Sequence, residues 1–206
     1  SGGTPVGGWR VSNASVINYM SAHDNHTLWD KLAISNASDS IATRIAMNKL
    51  GAGIIMVSKG IPFMQAGEEM MRTKDGDENS YRSDDSVNNI DWSVLKDGNR
   101  EYDTMMYYKG LIQMRKAYGI FSDKDTVISY EQLGSGITAV TYDDGQGGCA
   151  KVLINPHKTA LPYTLDGEWQ LVANGTEAGA TPLSTESGEI TLGGISVHIL
   201  VRTAEQ

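Results

Sequence analysis

Residues 21–30 read Ser21-Ala22-His23-Asp24-Asn25-His26-Thr27-Leu28-Trp29-Asp30. Three consecutive side chains, His23, Asp24 and Asn25, carry donors and acceptors suited to sugar hydroxyls. Trp29 follows with a flat apolar face, either for stacking on a sugar or for packing in a core. Two plainer readings fit the same stretch. An Asp ahead of a helix caps its first N–H groups, with the neighbouring His simply satisfied. His23, Asp24, His26 and Asp30 also hold nitrogen and oxygen atoms that would suit a metal-dependent hydrolase. A single His-x-x-His whose next histidine is His157 is a poor zinc signature, so no metal site is assigned.

The elements around this stretch must position it. Residues 15–21 are short, mostly apolar and bounded by polar residues, as in a strand buried on both faces. Residues 39–59 follow helical spacing, with Ile41, Ile45, Leu50, Ile54 and Val57 in line and Met47, Ile55 and Met56 on other faces. Lys59-Gly60 and then Pro62 mark the helix end. A second short strand is expected over 61–66, then a polar loop over 67–98 that is long enough to suggest function. Residues 100–118 read as an amphipathic helix with Met105, Tyr108, Leu111 and Ile112 on one face. The order βαβα implies a parallel sheet with helical crossovers, in which sites gather where strands end. His23 and Asp24 lie at such a point.

Beyond Tyr118-Gly119 the helical pattern stops. Short β-rich runs appear at 126–133, 136–142, 149–154, 161–165, 169–172, 189–192 and 196–201, separated by turn residues. Their spacing indicates an antiparallel sandwich or barrel. Two strands and two helices are too few for a complete α/β domain, so the first part reads as the tail of something larger.

Composition bounds the function. The chain has 206 residues, 40% hydrophobic and 20% charged, with a net charge of −8 and a pI near 4.9. An acidic chain repels phosphate backbones, which argues against nucleic-acid partners. No apolar run reaches the roughly 18–20 residues of a membrane span, and the first residues, Ser1-Gly2-Gly3-Thr4, do not form a signal peptide. The acid is concentrated: from Glu68 to Asp91 eight acids stand against three bases, which on charge alone reads as a solvated loop. Cys149 is the single cysteine, so neither an intrachain disulfide nor a cysteine zinc cluster is available.

These residues carry a resemblance. Asn18-Tyr19-Met20-Ser21-Ala22-His23-Asp24-Asn25, with Thr27-Leu28-Trp29-Asp30 behind, resembles the fourth signature region of the α-amylase family of glycoside hydrolases. It is most similar to the debranching branch, the type I pullulanases and isoamylases. The run 60–69, Gly60-Ile61-Pro62-Phe63-Met64-Gln65-Ala66-Gly67-Glu68-Glu69, resembles that family's last barrel strand. Arg72-Thr73-Lys74, Asn79-Ser80-Tyr81, Asp85 and Asn88 to Asp91-Trp92 resemble the loop after it, and residues 111–116 its final helix.

The resemblance implies residues 1–120 as the C-terminal quarter of a (β/α)8 TIM barrel and 121–206 as an antiparallel β-sandwich C-terminal domain. It implies retaining hydrolysis of α-1,6-glucosidic bonds in pullulan, branched starch or glycogen. Asp24 would stabilise the transition state and His23 would donate to a sugar hydroxyl. Asn25 would shape the pocket, Asn79, Tyr81 and Asp85 would border a neighbouring subsite, and Glu69 would be structural. Arg82 and His26 depart from the family's pattern. The family's nucleophile and acid/base belong to earlier strands, so the 206-residue chain is expected to be inactive alone. The expected partners are an α-glucan and the rest of the barrel, with self-association through an exposed barrel edge, and without nucleic acid or membrane. No cofactor is evident, although the resemblance allows calcium in a full-length protein. The chain is expected to be bacterial, cytoplasmic or secreted. Asn13, Asn25, Asn36 and Asn174 head Asn-x-Ser/Thr sequons, and a glycan on Asn25 would block the sugar site. The competing reading is a non-catalytic carbohydrate-binding or scaffold module.

Overall fold

The computed structural model describes residues 15–202. Two short strands, β1 (Ile17–Asn18) and β2 (Ile61–Pro62), pair in parallel with Ile17 opposite Ile61. The Ile61 N–H donates to the Val16 carbonyl and the Phe63 N–H to that of Asn18. Expected strands at 15–21 and 61–66 shrink to two residues each. Pro62 has no N–H to extend the ladder, and after Asn18 the chain turns away into a loop.

Between them stand two helices. α1 (Leu28–Ser35), not foreseen in the sequence, is capped by Thr27, whose Oγ1 accepts the Asp30 N–H at 3.2 Å. α2 (Ile41–Val57) is capped by Ser40 in the same way, through the Thr43 N–H at 3.1 Å. It ends before Gly60 at φ 113°, where a Cβ would lie 2.2 Å from the Val16 carbonyl oxygen, so glycine lets the turn pass β1.

The expected loop over 67–98 is not featureless. It holds 3-10 turns at Glu68–Met70, Ser80–Arg82 and Trp92–Val94 and a one-turn helix, α3 (Asp85–Asn88). Asp77, Asp84 and Asp91 each accept the backbone N–H two residues on. Part of the acidic cluster is therefore turn-forming, not merely solvated. α4 (Arg100–Ala117) follows, with Tyr107, Tyr108, Leu111 and Met114 buried; Met105 and Ile112 are only partly covered.

The remaining strands are β3 (Val127–Gln132), β4 (Thr138–Asp143), β5 (Cys149–Asn155), β6 (Leu161–Thr164), β7 (Trp169–Ala173), β8 (Ser184–Glu186), β9 (Glu189–Leu192) and β10 (Ser196–Arg202). β8 is the strand that sequence patterning missed. Six of them form an antiparallel sheet in the order β3-β4-β5-β10-β7-β8, while β6 and β9 pair separately. The large sheet is apolar on both faces. Val152, Val197 and Ile199 pack with Met56, Tyr107 and Leu111 of the helices and with Phe121 of the turn after α4. Leu153, Leu171 and Leu200 pack on the other side with Leu192, Tyr163 and Ile190 of the β6–β9 pair. The architecture is thus a small α/β part joined to antiparallel β-sheet. Among the described residues no helix is long and apolar enough to cross a membrane.

Candidate active-site segment

The chain leaves β1 at Asn18 and reaches α1 through residues 19–27. Ser21 is buried in this passage, and its hydroxyl donates to Glu68 Oε2 at 2.5 Å. His23 and Asp24 then emerge side by side. Their side chains are 87% and 81% exposed, with His23 Nε2 3.5 Å from Asp24 Oδ2, so both are open to a ligand. Asn25 turns the backbone at φ 64°, a left-handed conformation that Asn tolerates better than most residues. Asp24, Asn25, His26, Tyr19, Lys31 and Glu78 line one open cleft of about 570 Å³. His26 Nε2 lies 3.5 Å from the exposed Glu78 carboxylate across it.

The supports lie behind this cleft. The helix cap is Thr27, so Asp24 is free of the capping role that the sequence allowed it. Asp30 is buried, and its carboxylate accepts the Thr73 hydroxyl at 2.5 Å and the Lys74 N–H at 2.8 Å. Lys74 is itself buried and donates to Ser80 Oγ at 2.7 Å. Asn88 Nδ2 donates to the Ser80 and Ser83 carbonyls, and Arg72 donates to the Asn88 carbonyl. These bonds bind α1 to the loop after β2.

Other sequence candidates stand apart from the cleft. Asn79 precedes a 3-10 turn and donates its N–H to Asp77. Tyr81 is exposed beside the Arg82 guanidinium, 5.0 Å from its ring. Asp85 and Trp29 line a second groove of about 530 Å³ with Arg72 and Asp75. Trp29 faces the Arg44 guanidinium at 5.6 Å, so it does not supply a stacking surface beside Asp24. Glu69 accepts the Gly67 N–H at 3.0 Å and shapes the turn. Among the described residues no group of three or more His, Cys, Asp or Glu side chains gathers as a metal would need.

The residues that sequence reasoning missed are buried. Glu68 is 5% exposed, and burial, with Glu69 adding to it, pushes its carboxyl above the usual range against the pull of the Ser21 hydroxyl. Its carbonyl accepts from Asn48 Nδ2 at 3.5 Å, and Asn48 Oδ1 accepts the Tyr108 hydroxyl at 2.8 Å. An available sequence signal was the polar Asn48 standing between Met47 and Leu50 on a helix rich in apolar residues.

No protein-family profile matches the chain. Individual proteins do. The pullulanase of Bacillus subtilis strain 168 is 39% identical over 105 residues, covering 51% of this chain and 14% of that protein. The pullulanase of Klebsiella pneumoniae is 27% identical, covering 94% of this chain and 23% of that protein. Among solved structures, the pullulanase from Bacillus acidopullulyticus superposes with a TM-score of 0.83 at 34% identity, covering 92% of this chain and 24% of that one. That of Paenibacillus barengoltzii, in complex with maltohexaose and α-cyclodextrin, superposes at 0.81 and 33% identity, covering 97% and 31%. The chain spans less than a third of each of these proteins. In sequence and in fold it is pullulanase-like, matching a part of those proteins and not their whole length.

Proposed function

We propose that the chain is part of a retaining glycosidase that hydrolyses α-1,6-glucosidic bonds in α-glucans. The observation that carries this reading is Asp24 lining a cleft beyond the end of β1, with the exposed His23 beside it, in a chain pullulanase-like over most of its length. A relative bound to maltohexaose and another bound to maltose support an α-glucan ligand here. On this reading residues 1–120 belong to the C-terminal quarter of a (β/α)8 barrel and 121–206 to a β-sandwich domain.

In retaining hydrolysis one carboxylate attacks the anomeric carbon and a carboxylic acid protonates the leaving oxygen, through an oxocarbenium-like transition state. Asp24 would accept hydrogen bonds from hydroxyls of the sugar at the scissile bond, and His23 would donate to one of them. These contacts accelerate the reaction only if they tighten as the ring flattens. Asn25 lines the pocket wall, while Asn79, Tyr81 and Asp85, which stand outside this cleft, would serve a separate neighbouring subsite. The remainder of a barrel would supply the two other carboxylates and exclude water from Asp24, where electrostatic contacts strengthen as solvent leaves. The 206-residue chain alone is inactive on this reading.

The test is Asp24→Asn in the full-length protein that carries this chain. Because Asp24 is exposed, its replacement leaves the fold intact, which circular dichroism would verify. The turnover of pullulan should fall by at least ~100-fold, the scale on which a preorganised contact to developing charge acts. A variant with unchanged turnover would instead support a non-catalytic carbohydrate-binding module.

A further inference from the structure

We propose that Glu68 is a positioning residue which, through the hydroxyl of Ser21, fixes the segment presenting His23 and Asp24. The proposal rests on the reading of Asp24 as the residue that binds the reacting sugar.

Among the described residues no backbone–backbone hydrogen bond involves residues 20–26, which lie between the end of β1 and the cap of α1. Such a passage does not hold its own shape. Beside the packing of Met20 against the core, two side-chain polar contacts tie it to the rest of the protein. One is the His26–Glu78 contact at 3.5 Å, whose carboxylate is 72% exposed and therefore weak. The other is Ser21 to Glu68 at 2.5 Å, with both residues more than nine-tenths buried. Ser21 stands two residues before His23 and three before Asp24.

The anchor is firm because of what holds Glu68. It sits in the 3-10 turn just after β2, and its carbonyl is bonded to Asn48 of α2, which is bonded to Tyr108 of α4. Asn48 and Tyr108 are 0% and 1% exposed. The end of β1, the turn after β2 and two helices therefore meet in one buried polar cluster under the segment. The Tyr108 hydroxyl acts on the Glu68 carboxyl as well as on Asn48, so the carboxyl is part of the same cluster. A buried carboxyl is costly to desolvate. Retaining it makes sense where its acceptor role serves the site.

The experiment uses the full-length protein and reads kcat and KM on pullulan beside the thermal midpoint. Ser21→Ala and Glu68→Ala should each lower kcat at least ~10-fold, since small misplacements of a catalytic group are amplified in rate. Glu68→Gln keeps an acceptor for the Ser21 hydroxyl and should restore kcat to within ~3-fold of the parent. The double variant Ser21→Ala/Glu68→Ala should be no worse than the poorer single one, because both remove the same link. Should Glu68→Ala fail to fold, Ser21→Ala, which deletes one hydroxyl, carries the test. Variants with a lowered midpoint but parental kcat would make the cluster merely structural and overturn the proposal. Asp24→Asn is the reference: if it stays active, the reading of the site fails and this proposal with it. If it is inactive while Ser21→Ala and Glu68→Ala keep parental kcat, only the positioning role fails.

Discussion

His198 lies on β10 between β5 and β7, 8% exposed, with the Ser196 hydroxyl 3.5 Å from its Nδ1. Burial lowers its pKa from the ordinary 6.5, and Glu186 on β8 pulls weakly the other way. An unfolded chain takes up this proton as pH falls through about 6.5, while the folded chain resists it until lower pH. The folded state therefore loses stability on acidification below 6.5. The thermal midpoint, followed by circular dichroism, should fall between pH 7 and pH 5, and His198→Gln should flatten that fall. An identical slope in both proteins would show that other groups set it. At this scale the legible part of the site was the contiguous part. His23, Asp24 and Asn25 are neighbours along the chain, so their types alone suggested sugar chemistry. Ser21 and Glu68 are 47 residues apart, and nothing in either local pattern announces their contact. The acidic cluster misled in a similar way, because charge counts do not reveal which carboxylates fold back on their own backbone, as those of Asp77, Asp84 and Asp91 do.

Helix–sheet contact depends on two places where a side chain is missing. Gly53 of α2 faces Val197, whose Cγ1 would lie 2.3 Å from an added Cβ, and Gly110 of α4 faces the Ala178 carbonyl oxygen at 2.0 Å. Both are closer than real contacts, so a methyl group must push α2 off the sheet, or α4 off the β7–β8 connection that holds Ala178. Gly110→Ala, against a backbone oxygen that cannot rotate away, should cost about 1–3 kcal/mol in spite of its better helix propensity. Urea unfolding would measure it, and a neutral or stabilising result would show that α4 can shift freely. Periodicity located α2 and α4 and most of the β-strands, since each repeats an apolar pattern over several turns or residues. It did not say which neighbour covers each face, so α4 buries Tyr107 and Met114 where the pattern pointed to Met105 and Ile112. α1 is only eight residues long and β8 only three, too short for a period to stand out.

For the whole molecule, Ile17, Tyr19, Ile61 and Phe63 flank the β1–β2 pair and stand 43–57% exposed. Ile17 and Tyr19 share one face with Ile61 and Phe63, and an exposed apolar face on a two-stranded ladder is a surface for association. The purified 206-residue chain should release no reducing sugar from pullulan and should elute larger than a monomer in size-exclusion chromatography. Measurable hydrolysis would refute the reading that it lacks two of the needed carboxylates.

The large sheet has one further consequence. Its face toward the helices is not a surface that merely touches a neighbour; it shares one core with α2 and α4. Cutting the gene near codon 120 would leave Val152, Val197 and Ile199 facing water on one side and Tyr107 and Leu111 on the other. Exchange of parts between related genes is thereby constrained. A crossover that moves the β-strands must bring α2 and α4 with them, and the segment bearing His23 and Asp24, just upstream, is tied to that block through the Ser21–Glu68 bond.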